Sequence, residues 1–218
     1  MTTRRRWTTA LLAALAATAL AGCTVERVGA AAVVDGDPIS TERVQDLTQE
    51  YLDAVPGADA GQAQRAILQS LVLERVYDRA ADRLDVGVSA SRVAQETRQL
   101  ERFVHENALC PEDQTIEECL PGLLAARNTP GVAPSRVADW VRGQVLLEQV
   151  TMEINDLSQG EAATEEMAQK TNRRLQRIAA GMDIEVNPRF GRWAGDAVIV
   201  PVTSGGLASD VAELEKNS

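Results

Sequence analysis

Between Asp59 and Leu84 the apolar residues Ile67, Leu68, Leu71, Val72, Leu73, Val76, Tyr77, Ala80, Ala81 and Leu84 recur at helical spacing, yet they cover more of the circumference than one stripe. A helix of this kind must be covered by neighbours on more than one side. The pattern therefore predicts a central core helix, with Tyr77 part of the core. Asp59 is its expected N-cap, because a carboxylate there accepts amide hydrogens that the first turn leaves unpaired. Asp85-Val86-Gly87-Val88 is its expected stop, with Gly87 suited to a left-handed cap.

The segments around it follow the same logic. Ser40 caps a helix from Thr41 to about Leu52, burying Val44, Leu47 and Tyr51, and Val55-Pro56-Gly57 ends it. Ser89 starts a helix to about Asn107, with Val93, Leu100, Phe103 and Val104 inward and Glu96, Arg98, Glu101 and Arg102 solvated. A short helix is expected from Thr115 to Ala126, before a break at Asn128-Thr129-Pro130-Gly131 and Pro134. Ser135 is the expected cap of another long apolar helix to about Leu157, with Trp140 in the core. After Ser158-Gln159-Gly160, a polar helix from about Ala162 to Ala180 offers only Met167, Leu175 and Ile178 for burial. At both ends of this helical region the period changes to that of strands. Ala31 to Ile39 carries the hairpin pair Asp35-Gly36, and Asp183 to Asn187 alternates polar and apolar before Pro188. The expected fold is mainly α, with a small β element joining Ala32–Val34 to Ile184–Val186.

The N-terminus has a different character. Arg4, Arg5 and Arg6 precede an uncharged, Ala- and Leu-rich run from Trp7 to Leu20, which closes on Leu20-Ala21-Gly22-Cys23. That is a signal peptide, too short for a permanent span of about 20 residues. The closing run resembles the lipobox of bacterial lipoproteins. The resemblance implies cleavage between Gly22 and Cys23, acylation of Cys23 and anchoring on the outer face of the cytoplasmic membrane. An ordinary secreted chain cut near Ala21 is the plainer alternative; Trp7 and Thr8-Thr9 fit a twin-arginine signal poorly. The expected divisions are 1–22 signal, 23–30 tether, 31–193 helical domain, and 194–218 an extended apolar piece with an acidic tail.

Loss of the signal leaves 196 of 218 residues and moves the formal charge from −10 to −13. Such a chain is repelled by nucleic acid and by anionic head groups, so the lipid on Cys23 must do the anchoring. With 3% aromatic residues, and only Trp140 and Trp193 among tryptophans beyond the signal, an aromatic ligand cage is disfavoured. Cys110 and Cys119, nine residues apart in an oxidising compartment, are expected to form a disulfide. A metal site with His105, the only histidine, has too few ligands at irregular spacing, and no metal or other cofactor is expected.

Val33-Val34-Asp35-Gly36-Asp37-Pro38-Ile39-Ser40, Val76 to Ser89, and Ile184 to Trp193 together are similar to the SurA and PrsA class of extracytoplasmic chaperones, over about Ala31 to Trp193. The resemblance implies a SurA-N-like helical domain that binds exported, unfolded polypeptides. Fuller members insert a parvulin prolyl isomerase domain, with histidines in its active site, before the terminal strand. Between Ile154 and Asn187 this chain has room for one helix, so isomerase activity is not expected.

No Gly-x-Ser-x-Gly, His-Glu-x-x-His, phosphate-loop or Rossmann pattern is present, and Gly205-Gly206 lies in the tail. Glu117-Glu118 and Glu165-Glu166 are adjacent on helices and diverge. His105 has no nucleophile set beside it by any motif. No catalytic residue is expected, and no client-binding residue stands out. The leading expectation is a membrane-tethered chaperone; the alternative is a structural or adaptor lipoprotein with one dedicated envelope partner. Cys23→Ser should release the protein from the membrane or block its processing, read by fractionation and intact mass. A Cys23→Ser chain that still partitions with lipid at its mature size contradicts the anchor.

Overall fold

Asp35 and Gly36 take φ of 50° and 89°, the mirror-image turn that matches the twist of two antiparallel strands. They join β1 (Ala30–Val34) to β2 (Asp37–Ser40). The computed structural model describes residues 29–127, 129–158 and 161–193. The signal, Gly22 and Cys23, most of the tether, Asn128, Gln159-Gly160 and the segment 194–218 lie outside them.

Ser40 ends β2 and caps α1 (Thr41–Ala54), its hydroxyl accepting from the Arg43 amide at 3.1 Å. Asp59 caps α2 (Ala60–Leu84) through the Gln62 amide at 2.7 Å, and Ser89 caps α3 (Ala90–Glu106) through Arg92 at 3.2 Å. Thr115 and Glu118 close α4 (Ile116–Ala126) with a reciprocal capping box. α5 covers Val137–Asn155, α6 covers Glu165–Ala179 with Thr164 as its cap, and β3 covers Ile184–Val186.

Two boundaries depart from expectation. The left-handed residue that ends α2 is Asp85, at φ 52° and ψ 38°, rather than Gly87; Asp156 ends α5 in the same way, at φ 53° and ψ 40°. Aspartate tolerates this conformation because its short polar chain bonds locally. Ser135 does not cap α5. It sits in a 3-10 turn over Pro134–Arg136, and its amide and hydroxyl donate to the Glu50 carboxylate of α1 at 2.5 and 2.6 Å. Glu96, expected in solvent, is 5% exposed: α3 packs on α5, and Arg92, one turn earlier on the same helix, pairs with Glu96 at 2.9 Å and with Glu148 of α5 at 3.7 Å.

The sheet order is β2-β1-β3, all antiparallel, with Ala32 opposite Val186, Val33 opposite Glu185 and Val34 opposite Ile184. The two ends of the domain meet here as expected. β1 is central and packs on α1 and α2, which is why small Ala30, Ala31 and Ala32 are all buried. β3 lies at an edge, so Pro188 beyond it interrupts no ladder.

Three apolar clusters fill the interior. The sheet, α1 and the first half of α2 form one around Val44, Tyr51, Ile67 and Val72. α3, α4 and the start of α5 form a second around Leu100, Val104, Leu120 and Val141. The second halves of α2 and α5 form a third with α6, around Val76, Ala80, Leu146, Leu175 and Ile178. α2 and α5 thus each serve two clusters, on different parts of their surfaces.

Asp35 ties the ends together. Its carboxylate pairs with Arg79 of α2 and accepts from the Asp183 amide at 2.9 Å, while its own amide donates to the Asp183 carbonyl at 2.8 Å. The hydrogen bond from Arg79, then that from Asp183, hold this carboxyl below its ordinary value of 3.8. A depressed folded-state pKa gives stability that is present above the unfolded value and lost as pH falls through the folded one. Asp35→Asn keeps a residue that tolerates the turn but removes the charge. The variant should be less stable than wild type at neutral pH, with the gap closing on acidification from about pH 5 to about pH 3. A gap unchanged over that range in thermal or urea unfolding contradicts this role for Asp35.

Candidate functional site

Where α2 and α5 diverge, the segment 129–132 straps across them and leaves a groove of about 490 Å³. Gly131 makes the strap possible. Its φ is +99°, and a Cβ there would lie 2.7 Å from the Ala66 carbonyl carbon, so only glycine lets the backbone sit against α2. Ser70 and Tyr51 hold it from below: the Ser70 hydroxyl donates to the Ile67 carbonyl at 2.8 Å and approaches that of Gly131 at 3.4 Å. Burial raises the Tyr51 phenol pKa, and a backbone hydrogen bond with Gly131 opposes that rise.

The groove walls are Leu73 and Tyr77 from α2, Val132 from the strap, and Trp140 from α5. Val132 and Tyr77 are buried, Leu73 and Trp140 half-buried, so apolar surface faces the opening. Burial pushes the Tyr77 phenol far above its ordinary value of 10, keeping it a neutral donor. The rim is charged and cross-braced. Arg136 pairs with Glu74 of α2 and Asp139 of α5, and it is the least exposed of the three. Nearby, Arg142 of α5 pairs with Asp78 of α2 at 2.7 Å. These bridges fix the spacing of the two helices at the opening, and the rim keeps an acidic excess. The volume falls within the roughly 300–1,000 Å³ of ordinary binding clefts.

Sequence reasoning placed Tyr77 and Trp140 in the core. Both do touch core clusters, but both also line the groove. Leu73 was expected only as part of the broad apolar set of the central helix, and Glu74, Arg136 and Asp139 were not singled out. The available signal was the breadth of the α2 and α5 apolar faces, which exceeds what the sparse apolar edge of α6 can cover.

Cys110 and Cys119 are joined in a disulfide with Cα atoms 5.8 Å apart, linking the end of α3 to α4. Both sulfurs are buried in the cluster against which Trp140 packs, so the bond braces one groove wall from behind. His105 is half-buried on α3, and its Nδ1 has no hydrogen-bond partner among the described residues. No group of three metal-ligating side chains occurs among them either. Glu118 serves its capping box and Glu165 accepts from Gln169 at 3.4 Å, so neither adjacent acidic pair converges on a shared point. No described helix is long and apolar enough to cross a membrane. The arrangement offers an apolar cleft with a charged rim and, among the described residues that line it, no assembled acid, base and nucleophile.

A family model for the SurA-like N-terminal domain matches residues 2–113, which takes in β1 to α3, the sheet hairpin and the α2 wall of the groove. α4, α5, α6 and β3 lie beyond the matched span. No curated protein and no solved structure matches the chain. The match covers more than half of the sequence, and the chain belongs to the SurA-like N-terminal domain family, a chaperone and folding-factor family.

Proposed function

We propose that the groove between α2 and α5 receives apolar side chains of extended, unfolded polypeptides, and that the protein is a membrane-tethered extracytoplasmic folding factor without prolyl isomerase activity. The observation that carries this reading is the half-open apolar groove lined by Leu73, Tyr77, Val132 and Trp140. A cleft of this size holds one or two side chains. Burying each contributes about 1.5–3 kcal/mol, which gives weak capture and ready release. The acidic rim and the acidic chain favour clients with basic residues. The leader, with its Leu20-Ala21-Gly22-Cys23 close, supports export and a lipid anchor on Cys23.

A second reading has its own observation. Most apolar residues of α2 and α5 are used in the three clusters, and Leu73, Tyr77 and Trp140 also line the groove. A single well-shaped cleft suits an adaptor with one dedicated partner.

The soluble part, residues 24–218, should suppress aggregation of an unrelated unfolding protein at near-stoichiometric ratio, and added salt should not abolish this. Leu73→Glu, on the half-buried wall, should weaken the suppression severalfold while leaving the unfolding temperature within a few degrees of wild type. Unchanged aggregation with wild type, together with no binding of a hydrophobic dye, contradicts the chaperone reading and favours the adaptor. The same protein should leave the cis/trans relaxation of a prolyl peptide at its uncatalysed rate, of tens of seconds or longer. Clear acceleration would overturn the non-catalytic assignment.

A further inference from the structure

The chain carries a formal charge of −10, yet α6 gathers Lys170, Arg173, Arg174 and Arg177 at intervals of three and four residues. That spacing puts all four on one side of a helix, and all four are exposed. The other side carries Ala168, Thr171, Leu175, Ile178 and Ala179, which are buried. None of the four cations makes an ion pair with a described residue. Lys170 donates to the Ile154 carbonyl at 2.6 Å and Arg177 to that of Arg173 at 3.3 Å, contacts with backbone carbonyls and not with carboxylates. Arg83 of α2 is also exposed, and its Nη2 lies beside Gly181, so it extends the row past the end of α6.

The fold uses only part of this row: Lys170 reaches the Ile154 carbonyl in the last turn of α5, while no described ion pair uses Arg173 or Arg174. Complementing the helix dipole accounts for Arg177 in the last turn, but that effect fades beyond one turn. Like charges three and four residues apart destabilise a helix. The row therefore has a use outside the domain. It is straight, and it spans about 10 Å. A planar array of small, mobile anions fits it better than a folded ligand does.

We propose that Lys170, Arg173, Arg174 and Arg177 form a docking stripe for the anionic headgroups of a phospholipid surface, laying α6 against the bilayer; the choice of a bilayer rests on the anchor read at Cys23. Six residues, 24–29, separate that anchor from β1, a reach of about 20 Å. β1 pairs antiparallel with β3, which follows α6 after four residues, so the tether enters one end of this strand pair and α6 leads into the other, about 14 Å away and within the tether's reach. The acidity of the whole chain opposes this contact only weakly. Charges farther away than about 10 Å are screened, and the local stripe decides the sign. Each basic residue near an anionic leaflet adds about a fivefold preference.

Lys170 and Lys216 are the only lysines in the chain, which makes amine acetylation a local reporter with an internal reference. The full lipoprotein is mixed with vesicles of phosphatidylcholine, or of phosphatidylcholine with phosphatidylglycerol, and read by flotation and by mass spectrometry of both lysines. Flotation with both vesicles reports the anchor. Acetylation of Lys170 relative to Lys216 should fall severalfold on the phosphatidylglycerol vesicles alone and recover in high salt. The Arg173→Gln/Arg174→Gln/Arg177→Gln variant, checked by circular dichroism for retained helix, should lose that protection while still floating. Failure to float on phosphatidylcholine, with Lys170 still protected on phosphatidylglycerol, removes the anchor and keeps the stripe. Equal acetylation on both vesicle types overturns the stripe. So does protection by an acidic polypeptide and not by phosphatidylglycerol, which would assign α6 to a protein partner.

Discussion

The two-sided burial of α2 is the constraint on which the rest of the structure depends. Its first half faces the sheet and α1 through Ile67, Leu68 and Val72, and its second half faces α5 and α6 through Val76, Ala80 and Ala81. No single neighbour can cover both. The chain therefore brings α5 back across α2 after the α3–α4 excursion, and then adds α6 and β3. β3 pairs with β1 and closes the first cluster with the last described strand. Asp35, bonded to both Asp183 and Arg79, stands where hairpin, central helix and terminal strand meet.

The groove follows from the same constraint. Two helices that each divide their apolar surface between two clusters cannot stay in contact along their whole length. Where they part, Leu73, Tyr77 and Trp140 keep apolar surface open to one side. Three devices hold that opening: the strap seated by Gly131, the bridges from Arg136 in the 3-10 turn to Glu74 of α2 and Asp139 of α5, and the disulfide behind Trp140. An apolar cleft kept from collapsing is what a weak, unselective binder of unfolded chain needs. The family's chaperone character and this geometry agree. The basic face of α6 points to a separate task, positioning the domain rather than holding a client.

Much of the fold was legible because its signals are local. Ser40, Asp59 and Ser89 stand directly before helices they cap, and the Asp35-Gly36 turn announces the hairpin. The pairing of Ala32–Val34 with Ile184–Val186 was legible because the period of two occurs at the two ends of the domain. What failed depended on distant partners. Ser135 has the chemistry of a cap, but Glu50 of α1 claims it. Glu96 has the chemistry of a solvated residue, but α3 packs on α5, where Arg92 bridges it to Glu148. Gly87 was the expected left-handed residue, and Asp85 took that conformation two positions earlier. The groove was legible only as a surplus of apolar surface. Which residues would line it depended on the angle between α2 and α5, which no local pattern encodes.

The central claim is that the groove captures many unfolded chains. A photo-crosslinking residue placed at Leu73 in the full chain, activated in the intact cell envelope, tests it most directly. Many unrelated exported polypeptides should crosslink at this position, and they should be lost when the crosslinker is placed instead at exposed Arg98 on α3. A single saturable partner at Leu73, or the same products from both positions, would contradict it.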